Sequence, residues 1–245
     1  ENNLCMKIAL IGYGKMGKAI EAIALERGHR VVIRLQRDNP TEWQSDQLKS
    51  ADVAIEFTAP ESAPQHLLNC FELGIPVVCG STGWLSHGSE IESACQATQG
   101  SLIYASNFSV GVNLFFALNQ QLAKLMAKQP QYAVSIEEIH HTEKKDAPSG
   151  TAISLAEQIL NEHPSKISWM NEATNDSSIL SIESKRIEGV PGTHQVEYRS
   201  EIDTLQIKHT AHNRIGFATG AVLAAEFLQN KKGIYTMKDV LGIGH

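Results

Sequence analysis

The chain has 245 residues, of which 42% are hydrophobic, and its formal net charge at pH 7 is −6. This length suffices for one large domain or two modest ones. The acidic balance argues against nonspecific nucleic-acid binding, and no apolar run approaches the roughly 20 residues that span a bilayer. Because the N-terminus also lacks a secretion signal, the sequence predicts a cytoplasmic protein with no nucleic-acid and no membrane partner.

A glycine-rich loop separates the first predicted strand from the first predicted helix. The strand is Lys7–Ile11, and Met16, Ile20 and Ala24 mark one apolar face of the helix. Glycines in such a loop permit a tight turn and the close approach of a pyrophosphate, so the G-x-G-x-x-G pattern predicts a dinucleotide site. The predicted cofactor-binding residues of this loop are Gly12, Tyr13, Gly14, Lys15, Met16 and Gly17.

Strands and helices then alternate along the first hundred or so residues. Further strands are predicted at residues 31–33, 53–57, 76–79 and 102–104, with helical patterns between the later ones. The alternation predicts a Rossmann-type parallel sheet covered by helices, with ligand loops at the carboxyl ends of the strands. Each loop alone reads as an ordinary turn, but their joint position predicts one cofactor crevice. Its candidate residues are Phe57, Thr58, Gly80, Ser81, Thr82, Ala105, Ser106, Asn107 and Phe108.

The residues after the second predicted strand bear on the choice of cofactor. An acidic side chain there would bond the adenosine ribose and repel a 2′-phosphate, but Gln36 is neutral and Arg37 follows it. The sequence therefore predicts NADPH and/or NADH, with NADPH preferred because Arg37, and Arg34 as a second candidate, would pair with the extra phosphate. Asp38 weakens this case, and a solvated surface charge at Arg37 is the alternative.

At about residue 110 the pattern changes. The residues that follow predict a second, α+β domain with a mostly antiparallel or mixed sheet. A helical stretch at 218–228 then returns to the first domain. The predicted domains are residues 6–108 with 216–245, which bind the dinucleotide, and residues 109–215, which bind the substrate. The elements of the second domain are a helix at 110–126, a strand at 132–139, a helix after Ser149, and strands at 179–184, 195–202 and 205–209, with a turn at Asp203-Thr204.

A loop in the second domain concentrates groups that hold anions and move protons. Ser149, Gly150 and Thr151 open an amphipathic helix, so their backbone N–H groups can receive a carboxylate, and His141 and Lys144 add positive charge. An ordinary histidine pKa of about 6.5 suits His140 to exchange a proton near neutral pH. Strand-end histidines, a solvated lysine turn and a simple helix entry are the alternative reading of the same residues.

Two neighbouring histidines pose a geometric problem. Adjacent residues of a regular strand point to opposite faces, so His140 and His141 could not both face one pocket from flat β structure. We therefore predict that the strand ends or bends at Ile139. The same alternation, with no paired cysteine spacing, predicts that the protein has no metal site. We expect surface or hydrogen-bonded structural roles for His194, His209 and His212.

Five motifs together resemble one known family. They are residues 12–17, 80–83, 107–113, 138–152 and 217–221, and the resemblance extends over essentially everything from Met6 onward. The chain resembles the 4-hydroxy-tetrahydrodipicolinate reductase family, also called dihydrodipicolinate reductase, of bacterial diaminopimelate and lysine biosynthesis. The resemblance implies NADPH- or NADH-dependent reduction of a small dicarboxylate, and a homotetramer that assembles through the second-domain sheets.

The resemblance also implies roles for individual residues. It makes His140 the acid/base and Lys144 the proton donor, and it assigns the substrate carboxylates to His141, Ser149, Gly150 and Thr151. The glycine loop and the segments 80–82 and 105–108 match the family's dinucleotide site. Three features depart from the family pattern: the glycine loop is one residue shorter than the common form, Gln36-Arg37 replaces an acidic residue followed by arginine, and Glu143 stands where some members have histidine.

Two other functions compete with this interpretation. A different two-domain NAD(P) oxidoreductase, acting on a sugar or amino-acid semialdehyde, would not need a helix start for a second carboxylate. A noncatalytic NAD(P)H-binding redox sensor would leave the groups from His140 to Thr151 without a task.

Overall fold

The computed structural model describes residues 5–36, 42–213 and 215–243, which form two compact units. Unit 1 consists of the described residues of Glu1–Val110 and Ile215–His245, and unit 2 of those of Gly111–Arg214. None of the helices in these three ranges combines the length and the apolarity that crossing a bilayer requires.

The helices and strands of unit 1 lie on both sides of unit 2 in the sequence. They are β1 (Lys7–Ile11), α1 (Lys15–Glu26), β2 (Arg30–Leu35), α2 (Asp46–Lys49), β3 (Val53–Glu56), α3 (Ala63–Glu72), β4 (Val77–Cys79), α4 (Gly88–Ala97), β5 (Ser101–Tyr104) and the start of α5 (Val110–Met126). Unit 2 continues with β6 (Ala133–His140), α6 (Gly150–Glu162), β7 (Ser168–Met170), β8 (Ile179–Arg186), β9 (Gly192–Arg199) and β10 (Thr204–Ala211). The chain then returns to unit 1 as α7 (Ile215–Leu228), β11 (Gly233–Tyr235) and α8 (Met237–Leu241).

Unit 1 contains a six-stranded parallel sheet with the order β11-β5-β4-β3-β1-β2. Alternate residues of its strands enter two cores, one on each face. Ile8 and Leu10 pack with α1 and α7, whereas Ala9 and Ile11 pack with α3 and α4. Burial on both faces explains why β3 and β4 are apolar almost throughout rather than alternating. The predicted parallel α/β fold is confirmed.

Short elements of unit 1, among them β11 and α8, were not predicted from the sequence. The strand β11 has three residues and adds to the sheet edge by pairing Gly233 with Ser101 and Tyr235 with Ile103. The helix α8 has five residues and starts with a capping box in which Thr236 and Asp239 bond each other's backbone N–H. Neither is long enough to show a periodic pattern.

Unit 2 contains a five-stranded mixed sheet with the order β10-β9-β6-β8-β7, which agrees with the mixed form of the prediction. The pairs β10–β9 and β9–β6 are antiparallel, and β6–β8 and β8–β7 are parallel. Apolar residues of α5 and α6 cover one face, where Val134 and Ile136 alternate with more exposed residues along β6. The three-residue strand β7 was not predicted from the sequence.

Two local predictions were wrong. The strand β6 does not end at Ile139, because His140 still pairs with Arg186 of β8 and its carbonyl accepts the N–H of Ile187. The β9–β10 turn begins earlier than Asp203-Thr204. The hydroxyl of Ser200 accepts the N–H groups of Ile202 and Asp203, and Ile202 is 90% exposed rather than part of a strand.

Candidate active site

The loops at the carboxyl ends of the unit 1 strands line a cavity of about 830 Å³ and a neighbouring one of about 370 Å³. The structure thereby brings together the glycine loop and the residues after β3 and β4. Predicted residues that line one or both cavities are Gly12, Tyr13, Gly14, Lys15, Met16, Gly17, Phe57, Thr58, Gly80, Ser81 and Thr82. The stacked rings of Trp43 and His66, which the sequence analysis missed, also line the larger cavity.

The four predicted residues after β5 are placed differently. Phe108 is buried in the core of unit 1, with its ring 5.8 Å from that of Phe57, and Ala105 packs against the same core. Asn107 accepts the backbone N–H of Ser109 just before α5 begins, and Ser106 is exposed. None of the four is among the residues that line the two cavities.

Glycine is required at the tight approach of the loop to β3. Gly12 has a φ of +95°, and a Cβ there would lie 2.1 Å from the carbonyl oxygen of Phe57. Gly14 is the N-cap of α1 and supplies no side-chain cap, while a Cβ at this position would meet nothing within 4 Å. The first-turn N–H groups of α1 are therefore available to an anion, as a dinucleotide pyrophosphate requires.

A buried carboxylate connects the loops that follow β3 and β4. Glu56 is fully buried and accepts hydrogen bonds from the hydroxyls of Thr58 and Ser81, and Ser81 in turn accepts the backbone N–H of Thr58. Burial alone would raise the pKa of Glu56, but hydrogen bonds from His66 and from these hydroxyls outweigh it and hold the pKa below its usual range. Glu56 thus fixes Thr58 and Ser81 at the cavity.

The cationic residues near the end of β2 are only partly described. Arg34 binds both carboxylate oxygens of Glu21 and lies over the ring of Tyr13, whose hydroxyl also donates to Glu21. A bound phosphate would therefore compete with Glu21 for Arg34. Gln36 lines the larger cavity, and Arg37 lies outside the described residues.

In unit 2, two alternate residues of β6 bring an acid and a base together. Glu138 is fully buried, and its Oε2 lies 2.6 Å from Nδ1 of the buried His140. His194 of β9 pairs in register with Glu138, and its ring lies edge-on to that of His140 with centroids 5.0 Å apart. Arg186 of β8 donates to Oε1 of Glu138 at 3.0 Å. Three strands therefore meet at one carboxylate.

The same carboxylate holds the start of α6. Ser149 is the N-cap residue: its backbone N–H donates to Glu138, and its hydroxyl accepts the N–H of Ala152 at 3.2 Å. These bonds use two of the donors near the helix start, and within the described chain the N–H groups of Gly150 and Thr151 remain for an external anion. Both belong to the predicted carboxylate site.

Glu138 stays ionised despite its burial. Burial would raise its pKa, but the contact with His140 and hydrogen bonds that include those from Ser149 and Arg186 hold the pKa well below the usual range. Burial and the nearby charge of His140 lower the pKa of His194 to about 3, so His194 is neutral near pH 7. This buried cluster thus combines one ionised carboxylate with one neutral imidazole.

The loop between β6 and α6 positions Lys144. Its ammonium Nζ lies 2.8 Å from both carboxylate oxygens of Asp146, which lowers the pKa of Asp146. The guanidinium of Arg186 donates to the carbonyls of Lys144 and Asp146, so it ties this loop to β8. His141 follows β6 directly and accepts the N–H of Lys144 at its carbonyl.

Three of these residues carry atoms of the kind that bind metal ions. Glu138, His140 and His194 each offer a ligand atom, and these atoms lie within 4.8 Å of one another. The guanidinium of Arg186 already neutralises Glu138, which disfavours a second cation there. The prediction of no metal site considered only the neighbouring histidines and the cysteines, and it stays a prediction.

Sequence reasoning missed Glu138, Arg186 and His194 as parts of this site. For His194 we expected a surface or hydrogen-bonded structural role. The structure places its Nε2 3.0 Å from the hydroxyl oxygen of Ser149. One signal was available: Glu138 and His140 continue the inward-facing positions of Val134 and Ile136 along β6. Two ionisable residues at positions of that face indicate a buried polar cluster.

Comparison with known families decides the relationship of the chain. A family model described as dihydrodipicolinate reductase, N-terminus, matches residues 6–108, and one described as dihydrodipicolinate reductase, C-terminus, matches residues 111–241. The chain belongs to the dihydrodipicolinate reductase family. The resemblance stated from the sequence is thereby confirmed.

Relatives named 4-hydroxy-tetrahydrodipicolinate reductase agree with this family. The one from Christiangramia forsetii is 50% identical over 96% of this chain and 98% of its own length, and the one from Rickettsia bellii is 33% identical over 92% and 90%. A solved structure of dipicolinate-bound dihydrodipicolinate reductase from Paenisporosarcina sp. TG-14 has a TM-score of 0.75 and 24% identity, and the match covers 95% of this chain and 98% of that one. At that identity the likeness shows the shared fold.

The glycine loop gives a first prediction. Gly14→Ala should leave the melting temperature unchanged, because a Cβ there meets no atom, yet weaken NADPH binding at least 10-fold by keeping the pyrophosphate from the backbone. Fluorescence titration with NADPH measures this, and Gly88→Ala, at an equally open position, is the control. Equal affinity in both variants would refute the placement of the pyrophosphate.

Gly192 gives a second prediction, because a Cβ there would lie 3.1 Å from Nε2 of His140. Gly192→Ala should displace the imidazole and lower kcat by roughly 10-fold or more, since misplacement of about 1 Å can cost that much. The affinity for NADPH should not change. Steady-state kinetics test this, and a variant with the wild-type kcat would show that the ring position tolerates the crowding.

Acid stability gives a third prediction. His194 titrates near 6.5 when unfolded and at about 3 when folded, so the unfolded chain binds the extra proton and stability falls as the pH drops below about 6.5. At pH 5 this costs about 2 kcal/mol. Melting curves of His194→Gln should lose less between pH 7 and pH 5 than those of the wild type. Parallel losses in the two proteins would contradict the depressed pKa.

Proposed function

We propose that this protein catalyses the NAD(P)H-dependent reduction of 4-hydroxy-tetrahydrodipicolinate to tetrahydrodipicolinate in diaminopimelate and lysine biosynthesis. The family match over both units and the curated relatives of that name support this activity. The single structural observation that carries it is the buried Glu138–His140 pair beside a helix start that presents free N–H groups. Acid/base chemistry and carboxylate binding therefore occur in one loop system.

Unit 1 fits the dinucleotide. Its glycine loop has the backbone conformation and the open space that a pyrophosphate needs, and Glu56 holds Thr58 and Ser81 at the same cavity. When bound, the reduced nicotinamide supplies a hydride to a carbon conjugated with the imine of the dehydrated substrate. We assign the cofactor site to the residues that line the two cavities. The segment Ala105 to Phe108, which does not line them, and Arg37, the candidate partner of a 2′-phosphate, stay predicted cofactor residues.

His140 is suited to move the proton that the reduced substrate requires. Its Nδ1 faces the permanent negative charge of Glu138 at 2.6 Å, and Gly192 leaves room for the ring beside Nε2. Lys144 supplies a second cation, whose charge stabilises an enamine-like anion and which can itself donate a proton. Asp146 holds Lys144 in place through this ion pair.

The substrate carboxylates are assigned to the start of α6. The N–H groups of Gly150 and Thr151, the helix dipole, the hydroxyl of Ser149 and the imidazole of His141 form an anion site without a large net charge. Dipicolinate, which the Paenisporosarcina enzyme binds, is a dicarboxylate of the expected kind. We assign one carboxylate of such a ligand to the start of α6.

The assembly is proposed to be a cytoplasmic homotetramer formed through the unit 2 sheets. The edge strand β10 contains no fully buried residue in the single chain, and Leu205 on it is an exposed large apolar residue. An uncovered edge of eight residues is of the kind that a second copy can protect.

An assay with freshly generated 4-hydroxy-tetrahydrodipicolinate tests the activity through loss of the reduced-nicotinamide absorbance. His140→Gln and Lys144→Ala should each lower kcat by roughly 100-fold or more, because general acid/base groups contribute about that much. Their NADPH affinity should stay at the wild-type value. Lys145→Ala and His87→Gln, at exposed neighbouring and remote positions, are matched controls.

The outcomes separate the competing functions. A wild-type protein that binds NADPH without turnover would be a sensor rather than a reductase. Wild-type turnover in both His140→Gln and Lys144→Ala would preserve the activity and refute the assigned residues. Ser149→Ala and Thr151→Ala should chiefly raise the KM for the substrate.

A further inference from the structure

We infer that His194 is a positioning residue whose Nε2–H donates to the hydroxyl oxygen of Ser149 and thereby turns the Ser149 proton toward a substrate carboxylate. This inference deepens the proposed function and rests on the assignment of Ser149 to the carboxylate site. It concerns a residue that touches neither the reacting atoms nor the cofactor in the proposed reaction.

The contacts of His194 are few and well defined. Its side chain is buried, with Nε2 3.0 Å from Oγ of Ser149 and 3.9 Å from Oε2 of Glu138. Within the described residues, Nδ1 is buried and has no hydrogen-bond partner. A ring with one satisfied nitrogen and one buried, unsatisfied nitrogen cannot easily carry two N–H groups. The nearby ring of His140 also disfavours a second positive charge.

The position of the single imidazole proton follows from these contacts. If Nδ1 carried it, a buried N–H donor would have no acceptor, which is a rare and costly arrangement. If Nε2 carries it, that N–H donates to Ser149 and also lies near the carboxylate of Glu138, whose charge favours it. Both effects place the proton on Nε2.

The oxygen of Ser149 then accepts two hydrogen bonds, and its O–H group still has to donate one. A serine oxygen can accept two hydrogen bonds and donate one. The N–H of Ala152 uses the first acceptor position, and Nε2–H of His194 uses the second. The Ser149 proton must therefore point to a third group. In the free protein the carboxylate of Glu138 is such an acceptor, and a substrate carboxylate held by the N–H groups of Gly150 and Thr151 competes for the proton at the helix start.

The contribution is expected in binding rather than in the chemical step. A hydrogen bond from a neutral hydroxyl to a carboxylate is charge-assisted, and its loss corresponds to roughly 10- to 100-fold in affinity. Because Ser149 holds a carboxylate and not the reacting carbon, the KM for the substrate should rise while kcat changes little. A merely structural role would affect stability without this split.

Two substitutions of His194 distinguish the position of the hydrogen-bond donor from the size of the side chain. The amide nitrogen of glutamine lies close to the position of a histidine Nε2, whereas that of asparagine lies close to the position of Nδ1. His194→Asn should therefore raise the KM and the Kd for dipicolinate roughly 10- to 100-fold, and His194→Gln should restore most of the loss. His163→Asn is the control, because buried His163 makes a similar histidine–serine bond, to Ser165, away from the site.

Dipicolinate titrated by calorimetry in the presence of NADPH is the main readout, since it requires no turnover. Ser149→Ala should weaken binding as much as His194→Asn, and the double variant should weaken it no further, because both remove one hydrogen bond. Imidazole nitrogen NMR shifts should show His194 protonated on Nε2 in the wild type. That measurement needs no variant to fold.

Several results would overturn the inference. Unchanged dipicolinate affinity in His194→Asn, with weak binding in Ser149→Ala, would leave Ser149 its role and remove that of His194. Equal loss in His194→Gln and His194→Asn would show that bulk matters and the donor does not, and an Nδ1–H tautomer would refute the proton position directly. Failure of the proposed function is distinct: the wild type would then bind dipicolinate but not oxidise NADPH.

Discussion

The buried charge of Glu138 is the constraint on which the unit 2 site depends. A carboxylate cut off from water is tolerated only when neighbouring donors satisfy it, and here those neighbours come from β6, β8 and the start of α6. Arg186, Ser149 and His140 are therefore held in place by one shared partner. The loop that carries Lys144 is fixed indirectly, through the backbone bonds of the same Arg186.

Unit 1 uses the same physical solution for a different ligand. Glu56 ends a buried strand, as Glu138 nearly does, and its hydrogen bonds to Thr58 and Ser81 join two loops of the proposed cofactor site. Buried carboxylates of this kind contribute little net stability, because their desolvation offsets much of the attraction. Their effect is to give polar loop residues one arrangement, so that binding does not have to order them.

Features that depend on neighbouring residues could be predicted from the sequence, and features that depend on residues far apart in the chain could not. Strands such as Lys7–Ile11 and the helix Val110–Met126 carry a local hydrophobic pattern, and the family motifs are contiguous, so both could be recognised. His194 and Arg186 join Glu138 only through strand register across about fifty residues, and one sequence does not show which strands pair. The end of β6 was misjudged because the partner of His140, Arg186, was unknown.

The return of the chain to unit 1 has a consequence for synthesis. Ala218, Val222 and Leu228 of α7 fill the same core as Ile8 and Leu10 of β1, yet the ribosome makes them about two hundred residues later. Unit 2 is continuous in sequence, so it can become compact before α7 has been made and the core of unit 1 is complete. During translation the nascent β1–β5 segment thus exposes apolar surface for the longest time, and it is the part of the polypeptide that most needs chaperone protection.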